Sequence, residues 1–248
     1  MCYLSEKVCL VIPCYNEAKR LDFEKLKMIK SNCYFLFVND SSKDNTLELI
    51  KGNMADNMYV LNLTKNVGKG EAVRRGMLYL KTLPIFQEIE WVGYWDADLS
   101  TPLDELNNFF SYAKTFPIKV DSIWGSRIFK LGCNIKRSFM RHLLGRLFST
   151  IIRIFLKVKS YDSQCGAKLI RKELLDISFL EPFISRWIFD VEILLRLERY
   201  NIIECPVRNW TCMPGGKLRI SSVAFRTLLE ILKMRKKYGR NSNQNSKE

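Results

Sequence analysis

The sequence predicts an α/β protein, a mostly parallel sheet flanked by helices on both faces. Three observations lead to that class. Short apolar runs alternate with polar, helix-compatible stretches through the first 125 residues. Each run stops at polar or acidic residues, as strands buried on both faces do where they reach the sheet edge. A chain of 248 residues, 47% of them hydrophobic, is also long enough to bury such a sheet.

The elements follow in order. Residues 1–13 place charges before Val8-Cys9-Leu10-Val11-Ile12 and lack a small-residue cleavage site, so they read as a first strand and not as a signal peptide. Tyr34-Phe35-Leu36-Phe37-Val38 is a second strand, ending at Asn39-Asp40. Ser41, Ser42 and Asp44 are N-cap candidates for a helix through Leu47, Leu49 and Ile50. A third strand runs from Tyr59 to Leu63, and Gly68-Lys69-Gly70 opens a helix from Glu71 to Lys81. Trp91 to Trp95 is a fourth strand running into Asp96, and Asp121 to Gly125 a fifth. Ligands bind at the carboxyl ends of strands in such sheets. Here those ends carry Asn16-Glu17, Asn39-Asp40, Asn66 and Asp96-Ala97-Asp98.

Past residue 125 the pattern changes to a basic segment, Ser126 to Lys159. Apolar residues between 139 and 156 make a wide helical stripe, with Arg146, Arg153 and Lys157 on one line beside it. A helix over 138–159 has two readings, packed on the core or lying on a membrane surface. The net charge of +14 arises entirely after residue 120. Such one-sided charge suits a polyanion. Nucleic acid is set aside, because neither recognition-helix spacing nor interleaved stacking aromatics accompany the charge; an anionic membrane leaflet fits. No run of about 18 apolar residues exists to span a bilayer. Eight cysteines without a C-x-x-C pair, and a single histidine, His142, argue for reduced thiols and against zinc.

Asp96-Ala97-Asp98 is the sharpest chemical feature. Two carboxylates one residue apart at a strand end face one hard cation, Mg²⁺ or Mn²⁺, which then takes the oxygens of a substrate diphosphate. Other signals have two readings each. Asp40 accepts a hydrogen bond from a base imide, or caps a helix. Gly68-Lys69-Gly70 brings backbone and a cation to a phosphate, or is a plain turn. Lys217, after Gly215-Gly216, holds a phosphate, or sits on a solvated loop.

Eight blocks occur in an order that resembles the family 2 glycosyltransferases of GT-A fold. They are V-I-P-C-Y-N-E (11–17), F-V-N-D-S-S-K-D-N-T (37–46), N-V-G-K-G-E-A (66–72), W-D-A-D-L-S-T-P (95–102), G-S-R (125–127), D-S-Q-C-G-A-K-L (162–169), R-W-I-F-D-V-E-I-L (186–194) and N-W-T-C-M-P-G-G-K-L (209–218). The later blocks are most similar to the dolichyl-phosphate glucosyltransferase and polyprenyl-phosphate glycosyltransferase branch. The resemblance implies a Rossmann-like GT-A domain over residues 1–240. Its nucleotide-sugar half would be 1–125 and its acceptor half 126–240, followed by a disordered tail, 241–248. It implies that Pro13, Tyr15, Glu17 and Asp40 contact the nucleoside, with uridine favoured. Asp96 and Ala97 would border the diphosphate, Asp98 would hold the metal with Asp96 beside it, and Arg127 would lie near the phosphates or the acceptor.

The nucleophile decides what else is needed. A sugar hydroxyl wants a carboxylate base, whereas a polyprenyl phosphate is already anionic and wants cations only. Asp190 and Glu192 are the base candidates. Their alternative is an internal ion pair with Arg186 or Arg196, since unpaired charge in an apolar segment is costly. Asp162 and Gln164 read as loop-shaping residues. The expected activity is therefore inverting hexosyl transfer from a nucleotide-diphosphate sugar to a polyprenyl or dolichyl phosphate. The enzyme would be peripheral, on the cytoplasmic face of a membrane. The alternative acceptor is a saccharide hydroxyl in cell-surface polysaccharide synthesis, with Asp190 as base. A sugar-nucleotide pyrophosphorylase is the remote third reading, for it needs a glycine-rich triphosphate loop where Pro13-Cys14-Tyr15-Asn16-Glu17 stands.

Overall fold

A computed structural model describes residues 3–29, 31–136, 149–211 and 220–239. The first half of the chain forms β1 (Tyr3–Cys14), α1 (Phe23–Lys27), β2 (Ser31–Asn39), α2 (Thr46–Gly52), β3 (Met58–Asn62), α3 (Lys69–Leu80), β4 (Trp91–Trp95), α4 (Glu105–Ala113) and β5 (Ser122–Ser126). The second half adds β6 (Asn134–Lys136), helical residues 149–156 as α5, β7 (Ala167–Arg171), α6 (Leu175–Phe179), α7 (Phe189–Arg196), β8 (Ile202–Pro206), β9 (Asn209–Thr211) and α8 (Ile220–Tyr238).

Seven strands make one sheet in the order β3-β2-β1-β4-β7-β5-β8. Its strands are parallel except β7, which runs antiparallel to both β4 and β5. The expected mostly parallel sheet is present, and the reversed β7 is an addition that the apolar pattern does not announce. Strands from both halves of the chain share this sheet. Gly93 admits β7: a Cβ there would lie 2.3 Å from the Lys168 carbonyl oxygen. β6 and β9 pair separately.

Side-chain alternation explains the continuous apolar runs. Along β1, Val8, Leu10 and Ile12 enter the core layer that contains Phe23, Leu26, Phe109 and Phe110 of α1 and α4. Cys9 and Val11 enter the opposite layer, with Val73 and Met77 of α3 and Phe189 and Ile193 of α7. Both faces are covered, so no position of β1 between Val8 and Ile12 is left for a polar residue.

A third, smaller cluster joins Ile152 and Leu156 of α5 to Ile188, Val191, Ile231 and Met234. The helix expected over 138–159 is described only from residue 149 and ends earlier than expected, at 156, where Lys157 takes a left-handed φ of 55°. Its stripe is divided. Ile152 is buried, while Ile154 is 70% exposed beside exposed Arg153. Arg146, His142, Lys217 and the tail 241–248 lie outside the described residues. Among the described residues no helix is long and apolar enough to cross a membrane, and Cys9, Cys14, Cys133, Cys165 and Cys205 are free thiols.

Candidate active site

The carboxyl ends of β1, β2 and β4 converge on one edge of the sheet. After β1 the chain turns through Asn16, whose φ of 56° is a left-handed conformation that Asn tolerates. This turn is stapled to the loop after β2. The Asn16 N–H donates to Ser42 Oγ (3.1 Å), the Lys43 N–H to Asn16 Oδ1 (2.8 Å) and the Glu17 N–H to Thr46 Oγ1 (2.8 Å). Pro13 is half-buried near the end of β1 and Tyr15 is exposed on this turn.

Asp40 caps neither neighbouring helix but ties down the turn that enters α3. Its carboxylate accepts from the backbone N–H groups of Val67 (2.7 Å) and Gly68 (2.9 Å), the residues that lead into α3. Burial pushes its carboxyl above the usual range, against the pull of those two bonds. Among the N-cap candidates for α2, Asp44 accepts from the Thr46 N–H at 3.1 Å, while the capping position itself falls to Asn45.

Glu17, Asp96 and Asp98 form the acidic centre. The Asp96 N–H donates to the Gly166 carbonyl (2.9 Å), and a Cβ on Gly166 would stand 1.9 Å from Asp96 Oδ2, so only glycine fits behind that carboxylate. Asp98 Oδ1 accepts from the Ser100 N–H at 3.0 Å, across a turn closed by the left-handed Leu99 (φ 48°). Ala97 is buried between the two carboxylates. Lys69, at the start of α3, pairs with Asp96. Against the cost of desolvation, Asp96, Asp190 and Asp98 together hold its ammonium above the usual lysine range. Arg20 pairs with Glu17 and approaches Asp98 Oδ2 at 3.9 Å. Glu17 Oε2 is buried with no partner among the described residues, and burial pushes this carboxyl upward, with Asp98 and Asp96 adding to the effect.

The donor set fits a metal carried in with substrate. Among the described residues no group of three or more His, Cys, Asp or Glu is arranged to hold an ion alone. Mg²⁺ and similar hard ions take one or two carboxylates and complete their shell with phosphate oxygens and water. Asp98, with one oxygen fixed and the other, among the described residues, facing a distant guanidinium, and Asp96 beside it would supply that pair.

The remaining sequence candidates are engaged elsewhere. Arg127 donates two 2.7 Å bonds to Asp162 and lies over the Trp210 ring at 5.3 Å, so its charge is already matched. Glu192 is fully buried and bound to the Ile184 N–H (2.7 Å), Arg196 (2.9 Å) and the Tyr238 hydroxyl (2.7 Å). Of the two readings given for it, the structure shows the ion pair with Arg196. Asp190 pairs with neither Arg186 nor Arg196; its Oδ1 meets Lys168 Nζ at 2.7 Å and accepts from the Tyr94 hydroxyl. Sequence reading missed Arg20 and Lys168. Arg20 was legible as an i,i+3 partner of Glu17; Lys168 had no local signal.

Comparison with known proteins agrees with this geometry. Residues 9–178 match the family described as glycosyl transferase family 2. A dolichyl-phosphate beta-glucosyltransferase of Mus musculus is 32% identical over 235 residues, covering 86% of this chain and 70% of the relative. One from Dictyostelium discoideum is 29% identical over 248 residues, covering 92% and 74%. Among solved structures, glucosyl-3-phosphoglycerate synthase from Mycobacterium tuberculosis in complex with Mn²⁺, uridine diphosphate and glucosyl-3-phosphoglycerate superposes with a TM-score of 0.63. That likeness covers 95% of this chain and 81% of the other at 15% identity. The same enzyme with Mg²⁺ and uridine diphosphate gives a TM-score of 0.61, covering 93% and 79% at 16% identity. At such identity the likeness establishes the fold, GT-A.

Proposed function

The chain belongs to glycosyl transferase family 2, on the branch of the dolichyl-phosphate glucosyltransferases, and from that premise we propose that it moves a hexose from a uridine-diphosphate sugar to a polyprenyl or dolichyl phosphate. What favours this acceptor over a saccharide hydroxyl is the branch itself, since the relatives are dolichyl-phosphate beta-glucosyltransferases. Of the two base candidates, Glu192 is bound on both oxygens, by Ile184, Arg196 and Tyr238, and Asp190 on Oδ1, by Lys168 and Tyr94. A phosphate oxygen attacks the anomeric carbon without giving up a proton. The new bond forms on the face opposite the departing diphosphate, which leaves with the bonding pair, so no base is needed.

In this reading Tyr15, Pro13 and Asp40 receive the nucleoside, and Asp96 and Asp98 would hold Mg²⁺ or Mn²⁺. When bound, that ion screens the diphosphate's charge as it leaves. Lys69 lies beside Asp96 and adds a second positive charge at the diphosphate. Arg127, matched by Asp162, shapes the wall of the site. The test is direct. The protein, incubated with labelled UDP-glucose, Mn²⁺ and undecaprenyl phosphate, should move label into the organic phase. Label transferred only to saccharide acceptors would overturn the reading.

We further infer that α5 and α8 set the enzyme on the cytoplasmic face of a membrane. Ile154 on α5 and Leu228, Leu229 and Leu232 on α8 are exposed (41–70%), with basic Arg153, Lys157 and Lys233 exposed around them. Each basic residue near an anionic surface contributes about 1 kcal/mol. Replacing Arg146, Arg153 and Lys157 with Ser should therefore weaken binding to anionic liposomes by about 10²-fold at physiological salt. Flotation measures it, and a wild-type protein that ignores such liposomes removes the membrane from the picture.

A further inference from the structure

Lys168 is a fully buried cation in the middle of the central sheet. On β7 it stands directly opposite Tyr94 of β4 and Trp124 of β5. Directly opposed residues of antiparallel strands project from the same face of the sheet. Here that face is the one covered by α3 and α7. The ammonium lies 4.5 Å from the Trp124 ring centroid and 5.2 Å from that of Tyr94, donates to the Cys165 carbonyl, and meets Asp190 Oδ1 at 2.7 Å. Two aromatic faces and two oxygens fix it in place.

A buried ion pair is a poor device for stability, since desolvating both ions offsets most of their attraction and an apolar pair of similar volume serves as well. Its position gives it another use. Asp190 is the second residue of α7, and Phe189 before it would lie 2.9 Å from a Cβ on Gly70, so the first turns of α3 and α7 touch. Lys69, in that first turn of α3, reaches Asp96. Charges therefore alternate inward from the acidic centre as Asp96, Lys69, Asp190 and Lys168. With Oδ1 taken by Lys168 and Tyr94, Asp190 keeps Oδ2 for substrate; among the described residues no hydrogen bond reaches that oxygen.

We propose that Lys168 is a positioning residue for sugar transfer, holding Asp190 as a fixed anion whose free oxygen accepts a hydroxyl of the donor's sugar. It does so by occupying the other oxygen from inside the sheet. This rests on the glycosyltransferase reading and deepens it, for it assigns Asp190 to the sugar and not to the nucleophile's proton.

The test compares Lys168→Met, a neutral replacement of similar length, with the double variant Lys168→Met/Asp190→Asn, in which no buried charge is left alone. Calorimetry with UDP and with UDP-glucose, each with Mn²⁺, isolates the sugar contact without requiring turnover. Both variants should bind UDP within about twofold of wild type and lose at least about tenfold of whatever advantage UDP-glucose has over UDP. The double variant should recover the melting temperature that Lys168→Met loses, yet keep the sugar defect and a kcat reduced by about 10²-fold. That separation is one a merely structural pair would not give. The proposal is overturned if the double variant keeps the wild-type preference for UDP-glucose, or if wild type has no such preference. Absence of transfer by wild type, with the preference intact, would count against the acceptor assignment and leave Lys168 in its role.

Discussion

Asp98→Ala is expected to lower sugar transfer by about 10³-fold and to remove the effect of Mn²⁺ on UDP affinity. The size follows from what an ion contributes to a departing diphosphate, several kcal/mol of charge stabilisation. The residue follows from geometry. Asp96 is matched by Lys69 and backed by Gly166, whereas Asp98 is anchored through one oxygen to the Ser100 N–H (3.0 Å) and, among the described residues, meets only Arg20, at 3.9 Å, with the other. Asp98 is thus the carboxylate least committed to the protein. Its loss should leave the fold alone, because it is partly exposed and the Leu99 turn is also held by the Leu99 N–H to the Asp96 carbonyl (3.0 Å). Titration of UDP with and without Mn²⁺ measures the metal's effect directly. Near-wild-type transfer by the variant in excess EDTA would exclude a metal role for this position.

The donor side of this site was legible because its parts are local. A strand that is apolar to its last residue and then acidic, as Trp91 to Asp98 is, needs no partner elsewhere to be read. The ends of β1 and β2 could be placed beside it by the same rule. The other side was not legible for the opposite reason. β7 reads A-K-L-I-R, and a lysine in the middle of five residues argues against a central strand unless the carboxylate and the aromatic rings that receive it are known. Those are Asp190, Tyr94 and Trp124, far from it in sequence. The acidic pair at 190 and 192 was correctly read as needing charge partners. Only Glu192 found one at helical spacing, Arg196, because i,i+3 and i,i+4 pairs are the kind that spacing can announce. The partner of Arg127 was hidden for a related reason: an arginine after a strand looks unpaired until the loop bearing Asp162 is folded against it.

That pair carries the largest expected effect on stability. Asp162→Ala should destabilise the fold by about 3–5 kcal/mol, the usual result of leaving one partner of a buried ion pair without the other. The Arg127 and Asp162 side chains are 18% and 11% exposed, and Asp162 also accepts from the Arg127 N–H at 3.0 Å. Losing it frees both the guanidinium and the backbone at the end of β5. The pair also sets an acid limit. Burial would raise the Asp162 carboxyl, but the Arg127 charge and its hydrogen bonds overcome that and bring it down to about 2, from an ordinary 3.8. A carboxyl depressed on folding stabilises the native state fully above its unfolded value, and that contribution fades as pH falls through the folded one. About 2–3 kcal/mol should therefore be present above pH ~4 and lost progressively towards pH ~2. Urea midpoints across that range, for wild type and Asp162→Asn, separate this pair from every other carboxylate. The wild-type curve should fall more steeply and the two should converge at the acid end. Parallel curves, or an Asp162→Asn variant as stable as wild type at pH 7, would mean that Arg127 finds a second partner and that the pair is not what holds the end of β5 in place.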